Sequence, residues 1–397
     1  MESAIFSEIK KLGIDVLAIE ARHHIHQNPD LSEHEEDTRD YIAGKLTELG
    51  IPYETGFADT GLVAVISGES SGPIIAIRAD MDALPIQEEN PDLACRSRKD
   101  GVMHACGHDV HTAVLLGVGA YLQSIRSTLP GTVKLLFQPA EESIGGAQRM
   151  IDDGCLENPH VDAVLGLHVE PSLPVGSVGI KYGKMYACSD EVDIDIYGTS
   201  SHGARPDLGN DAIYMASAII QNTQAIISRN IAPTDSAVCT FGTIQGGNVR
   251  NQVADHVKLT GMIRAMDETT REFLRDRITS VCDSVTSMMG GSATVHFRPS
   301  YSPLINTDHM VDLVRSAASK LLGEDAVIQE ATPQLTVEDF AYFAAARPAC
   351  FWHLGCTAAE DSSLQILHNS GFHPDDACIP IGIAVQVRAV LDLMHQQ

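Results

Sequence analysis

Apolar residues recur at helical spacing over residues 3–27 and again from Glu33 to Gly50, where Gly50 and the following Pro52 predict a stop. Short apolar runs of β type follow at 62–67 and 73–78, then a helix over 109–126, then strands at 132–137 and 163–168. Short apolar strands separated by helices predict an α/β domain with a central, mostly parallel sheet. In such sheets, sites gather beyond the carboxyl ends of strands. Asp80, Glu141, Glu142 and His168 all fall at or just past a predicted strand end.

Past Gly183 the texture changes. Residues 191–197 alternate as Val-Asp-Ile-Asp-Ile, a half-buried strand pattern. A helix is expected at 211–228, strands near 237–244 and 256–264, a helix at 267–289 and a strand at 293–298. The order β-α-β-β-α-β is that of a small ferredoxin-like α+β domain. It predicts an insertion at 184–297 within a first domain made of 1–183 and 298–397.

A chain of 397 residues is too long for one hydrophobic core, which agrees with two domains. Apolar content of 44% and charged content of 20% are those of an ordinary folded protein. The net charge of −26 argues against a nucleic-acid or anionic-membrane partner, since both need a basic surface. Nine cysteines, an odd number with no CxxC pair, do not form a disulfide framework. The opening residues carry lysines and glutamates with no apolar core, and no apolar run reaches membrane-spanning length, so a reducing cytoplasm is the expected setting.

Candidate chemistry centres on Met103-His104-Ala105-Cys106-Gly107-His108-Asp109, a thiol and an imidazole two residues apart at the start of a predicted helix. Glu141 and Glu142 follow a strand through Pro139, where an irregular backbone could turn both carboxylates into one cleft. His168 ends an apolar run, and His368 lies in a loop-like stretch. Thiolate, imidazole and carboxylate are the ligand types of zinc and its first-row neighbours, and a spare carboxylate is what a metal-assisted hydrolase needs to carry a proton. Each piece also has a bland reading: a buried structural cysteine, a solvated acidic turn, a core histidine. His202 in Ser201-His202-Gly203-Ala204-Arg205-Pro206, Asn248 and Asn251 in a second glycine-bearing loop, and Arg264 at a strand end are candidate donors for an oxyanion or a substrate carboxylate, or simple turn residues. His23, His24, His26, His34 and His160 are expected on helix surfaces or in loops. Gly117-Val118-Gly119 lacks the strand-then-turn context of a dinucleotide loop.

In this order the pieces resemble the M20 metallopeptidase family, in the amidohydrolase branch that holds aminoacylase-like, hippurate and auxin-conjugate hydrolases. The resemblance is carried by Arg22-x-x-x-His26-x-x-Pro29-Asp30-Leu31-Ser32, Arg78-Ala79-Asp80-Met81-Asp82-Ala83-Leu84-Pro85, His104-Ala105-Cys106-Gly107-His108-Asp109-x-His111-Thr112 and Gln138-Pro139-Ala140-Glu141-Glu142. Ser201-His202-x-Ala204-x-Pro206, Gly246-Gly247-Asn248-x-x-Asn251 and Glu338-Asp339-Phe340 complete it, so it runs nearly end to end. Two departures are Leu335-Thr336-Val337, where the branch has Met-Gly and a small residue, and Cys188 in place of alanine.

The resemblance implies a zinc-peptidase-like catalytic domain holding two divalent metal ions on Cys106, His108, Glu142, His168 and His368. Glu141 would be the general base, Cys106 would bridge the metals, and Asp80 and Asp82 would stand behind the ligands. The insertion would be a lid and dimerisation domain, making the protein a homodimer in which His202 reaches a neighbouring subunit's site. Zinc suits the thiolate best, and manganese, cobalt or nickel could serve. The implied reaction is hydrolysis of N-acetyl or aromatic N-acyl amino acids. Alternatives are N-acetyl-diaminopimelate deacetylation, small-peptide hydrolysis, a thiol hydrolase using Cys106 and His108, and a noncatalytic binder of metal or ligand.

Overall fold

The computed structural model describes residues 4–358 and 366–395. The chain forms two compact units. The first takes residues up to Gly183, then Ile305–Thr332 and the described residues from Tyr342 onward; the second is Lys184–Leu304 with Pro333–Ala341. The segment Pro333–Ala341 was expected with the first domain. It belongs to the second because its backbone pairs there: Gln334 N–H donates to Met185 O at 2.8 Å and Ala187 N–H to Thr336 O at 3.0 Å.

Among the described residues, the sheet of the first unit has eight strands, in the order Tyr53–Phe57, Gly61–Ser67, Pro130–Gln138, Ser70–Asp80, Ala163–Pro174, Ala349–Thr357, Val178–Ile180, Val327–Gln329. The four strands from Pro130–Gln138 to Ala349–Thr357 run parallel, and antiparallel pairs flank them. Helices cover the central strands, so these read as unbroken apolar runs such as Ala349-Cys350-Phe351-Trp352, all fully buried. Val164 to Val169 are buried throughout, and the strand runs on to Pro174 rather than stopping at His168 as expected.

The helix His108–Ser124 is buried on every side from His108 to Leu122. A helix apolar all round is one enclosed by its domain. It packs against the helices Ile14–Gln27 and Cys378–Met394 and against the sheet. Gly117 and Gly119 permit this approach: an added Cβ would sit 2.3 Å from Ile383 Cδ1 at Gly117 and 2.7 Å from Leu135 Cδ1 at Gly119. These glycines therefore serve packing.

The amphipathic stretch over 3–27, whose residue 3 lies outside the described residues, is two helices, Ala4–Lys11 and Ile14–Gln27. Gly13 between them adopts φ 67°, a left-handed conformation that ends a helix. The next helix begins at Glu36 rather than Glu33, because Glu33 itself has φ 69°.

In the second unit the strands Ser292–Pro299, Cys188–Tyr197, His256–Ala265 and Ala237–Gly246 lie in that order, all antiparallel. In chain order this is fourth, first, third, second, the ferredoxin-like arrangement. Val192, Ile194 and Ile196 point into the core under the helices Ala212–Asn230 and Glu268–Met288, with Asp193 and Asp195 alternating between them. Both helices carry an aspartate N-cap: Asp211 accepts from Ile213 N–H at 2.9 Å and Asp267 from Thr270 N–H at 2.7 Å. Buried Asp190 ties the unit together by accepting from Arg271 Nε at 2.7 Å and pairing with Arg275. No helix among the described residues is long and apolar enough to cross a membrane.

Candidate metal centre

Four segments of the first unit bring the candidate ligands together. Cys106 and His108 flank Gly107, which has φ 89° and whose Cβ, if it had one, would lie 2.4 Å from Val169 Cγ2. Only glycine turns the chain here without collision. His108 opens its helix and directs Nδ1 at Asp82, 2.9 Å from its backbone oxygen and 3.1 Å from Oδ1. Both partners only accept, so Nδ1 carries a proton and Nε2 is the nitrogen left to face a metal, which would take the place of any proton there. His168 is fixed in the same way, donating Nδ1–H to Val169 O at 2.7 Å with Nε2 at 3.4 Å from Cys106 Sγ. Glu142 is held by its N–H donating to Asp82 Oδ2 at 2.9 Å, and its Oε1 lies 3.2 Å from His368 Nε2. His368, with φ 60°, is anchored by its N–H donating to Ala105 O at 2.8 Å.

His111 is as close by but is not free to coordinate. Val169 N–H donates to its Nε2 at 2.9 Å, and its Nδ1 donates to Asp80 Oδ1 at 2.6 Å, so both nitrogens are used. Asp80 is further held by Arg78 at 2.7 Å, and Asp82 by Ser32 Oγ at 2.6 Å. Asp82 thus backs the candidate ligand His108, whereas Asp80 holds His111 and its Oδ2 lies 3.8 Å from His108 Nε2.

The ligand atoms of Cys106, His108 and His168 lie within 4.8 Å of one another, and so do those of Cys106, Glu142 and His368, and of His108, Glu141 and Glu142. Cys106 is shared by the first two groups, one with two imidazoles, the other with a carboxylate and an imidazole. His108 Nε2 and Glu142 Oε1 are buried and make no hydrogen bond, with 3.8 Å between them. Such atoms are costly unless a partner of another kind satisfies them. The surrounding charge favours a cation. Burial would lower the pKa of His108, but Asp80, Asp82 and Glu142 outweigh it and raise it to about 10. Burial and then Glu142 and Glu141 push the Cys106 thiol well above its ordinary value. Burial, with His111 and His108 adding to it, holds His168 well down, so its imidazole is neutral as a ligand must be. The donor set fits a divalent cation, and the shared thiol fits two.

The pattern of Peptidase family M20/M25/M40 matches residues 76–392. The chain belongs to this family. M20 relatives include N-acetyl-L-cysteine deacetylase of Bacillus subtilis, 40% identical with 90% of this chain and 83% of that protein aligned. The hippurate hydrolase of Campylobacter jejuni is 36% identical over 88% of this chain and 90% of its own. The crystal structure of a dinuclear metal-binding M20 peptidase from Bacillus subtilis superposes with a TM-score of 0.85 at 30% identity, covering 97% of this chain and 99% of that one. As an M20 protein the chain is a hydrolase acting on amide bonds.

The remaining candidates of this M20 hydrolase lie in its second unit. His202 is exposed, and its Nδ1 accepts from Ala204 N–H at 3.0 Å, which leaves the proton on Nε2. Its loop meets the second glycine-bearing loop through Gly203 N–H donating to Asn251 O at 2.8 Å, and Asn248 and Asn251 are exposed there. Arg264 is half-buried and donates to Leu335 O. The expectation for His26 is corrected. It is fully buried, because Asp109 Oδ2 accepts from its Nδ1 at 2.9 Å and from Arg22 Nε at 2.8 Å. The spacing Arg22-x-x-x-His26, one helical turn, was the available signal for this shared partner. Glu35 was not singled out by any sequence signal, and it reaches the turn that carries Glu141.

Proposed function

We propose that this M20 hydrolase cleaves N-acyl amino acids to a carboxylic acid and a free amino acid. The observation that carries the reading is the thiol of Cys106 common to two ligand groups, with Glu141 beside His108 and Glu142. His108, His168 and Cys106 would hold one divalent ion, and Cys106, Glu142 and His368 the other. Bound there, the ions supply Lewis acidity and make a water acidic enough to be deprotonated near neutral pH. Zinc is the proposed metal, since a thiolate is a soft ligand.

Glu141 takes a proton from the attacking water and returns it to the leaving nitrogen as the amide bond breaks. His202, reaching a neighbouring subunit's site, would offer its exposed Nε2–H to the charge that develops on the carbonyl oxygen, its tautomer set by Ala204 N–H. Asn248, Asn251 and Arg264 are assigned to the substrate carboxylate. The deacetylase and the hippurate hydrolase among the relatives support an acetyl or benzoyl acyl group. The raised Cys106 thiol counts against a thiol nucleophile, which must ionise readily to attack.

The second unit, as the proposed lid and dimer surface, is supported by its edge strand Ala237–Gly246 and by the exposed side chains of Ile213, Tyr214, Ile244 and Val249. Nine buried free thiols accord with a reducing cytoplasm. The test is Glu141→Gln together with a panel of N-acetyl amino acids, hippurate, N-acetyl-diaminopimelate and dipeptides. Turnover of the N-acyl amino acids by the wild type, and its loss in Glu141→Gln at unchanged metal content, are expected. Full activity of the variant removes Glu141 as the base, and cleavage of dipeptides alone overturns the substrate class.

A further inference from the structure

Glu35 precedes the helix Glu36–Glu48 and occupies its N-cap position, yet its side chain makes no hydrogen bond to that helix. Capping falls to Asp30, whose Oδ2 accepts from Thr38 N–H at 2.8 Å. The Glu35 carboxylate is fully buried and turns the other way. Its Oε1 accepts from Ala140 N–H at 2.9 Å and from Glu33 N–H at 2.9 Å, and its Oε2 accepts from Thr60 Oγ1 at 2.6 Å. A buried carboxylate is retained only where its oxygens are satisfied, and here all three donors are fixed.

Ala140 directly precedes Glu141 and has φ 56°, a left-handed conformation that an L side chain with a Cβ seldom adopts. Such a conformation persists only where its surroundings hold it. The surroundings are visible: Glu35 grips Ala140 N–H, Gly145 N–H donates to Ala140 O at 3.0 Å, and Asp82 grips Glu142 N–H at 2.9 Å. Two buried carboxylates thus hold the backbone on either side of Glu141. Asp82 also supports His108, whereas the Glu35 contacts given above involve none of the candidate metal ligands.

We propose that Glu35 is a positioning residue for the general base: its carboxylate pins the strained Ala140 peptide and so aims Glu141 at the attacking water. The inference rests on Glu141 being the base. It requires an acceptor oxygen at that distance and does not require a charge. A small displacement of a catalytic group costs on the order of 10- to 100-fold in rate.

The experiment compares Glu35→Asp, Glu35→Gln and Glu141→Gln as full-length, metal-loaded proteins, reading kcat, KM, metal content and zinc affinity. Glu35→Asp keeps the charge but shortens the side chain by one methylene. Its kcat should fall by about 10- to 100-fold with KM, metal content and zinc affinity unchanged. Glu35→Gln keeps the length, with its amide oxygen toward Ala140 and its NH2 donating to Thr60 Oγ1, and should hold near wild-type kcat. Wild-type kcat in Glu35→Asp, while Glu141→Gln is inactive, overturns the inference and leaves the base assignment standing. So does a loss in Glu35→Gln as deep as in Glu35→Asp, or a loss explained by missing metal. Activity in Glu141→Gln instead overturns the base assignment on which the inference rests.

Discussion

Asp109 shows what a single buried side chain does beside the candidate ligands. It follows His108 directly and is fully buried, with Arg22 and His26 both donating to its Oδ2. Burial alone would raise its carboxyl, but Arg22 and His26 hold it well below the usual carboxylate range. Asp109→Ala would leave the buried Arg22 guanidinium with only the partly exposed Asp376, and His26 with only Glu88, and a loss of about 3 kcal/mol in urea unfolding is expected. Because the folded-state value is depressed, this contribution is fully present above the unfolded value near about 4 and is lost as pH falls through the folded one. The stability gap between wild type and variant should therefore hold at neutral pH and close only in strong acid. The Cys106 thiol leads to a second prediction. Its raised value means that metal must displace a proton throughout the neutral range, so zinc affinity should rise with pH across that whole range. Calorimetry in buffers of different ionisation enthalpy should show protons released on binding.

At the scale of elements, the helix His108–Ser124 carries its first candidate ligand into the centre only because it is enclosed on all sides. Gly117 faces Ile383 so closely that Gly117→Val should overpack the interface and cost about 1–3 kcal/mol, read as a lowered urea midpoint at unchanged slope. Periodicity located this helix and most of the strands within a few residues, since a buried strand or an apolar helix leaves a continuous signal along the chain. It overran at residues 3–27, where Gly13 breaks an amphipathic pattern that reads as continuous. It also ended a strand at His168, because a polar residue in a buried run looks like a terminus. In the fold His168 is tolerated mid-strand, with Nδ1 satisfied by Val169 O.

At the scale of the whole molecule, the two units have separate cores, and the second presents apolar side chains that its own core does not use. If its edge strand forms a dimer surface, Ile244→Lys should convert the protein to a monomer in sedimentation velocity, with metal content unchanged. A monomeric wild type would remove the dimer altogether, and an undisturbed dimer in the variant would place its contact elsewhere.

The sequence by itself determined the α/β class and the βαββαβ insertion and picked out the candidate ligands, because periodicity and residue chemistry are local properties of the chain. Cys106, His108, Glu141 and Glu142 were legible for that reason, each lying in a short motif beside a predicted element. Only the tertiary structure decided which histidines keep a ring nitrogen open to a metal. His108 and His111 look alike in sequence, and Val169 N–H, 58 positions away, occupies one and not the other. The grip of Glu35 on Ala140, across 105 positions, is equally invisible along the chain, since which donor meets which acceptor depends on distances that only folding fixes.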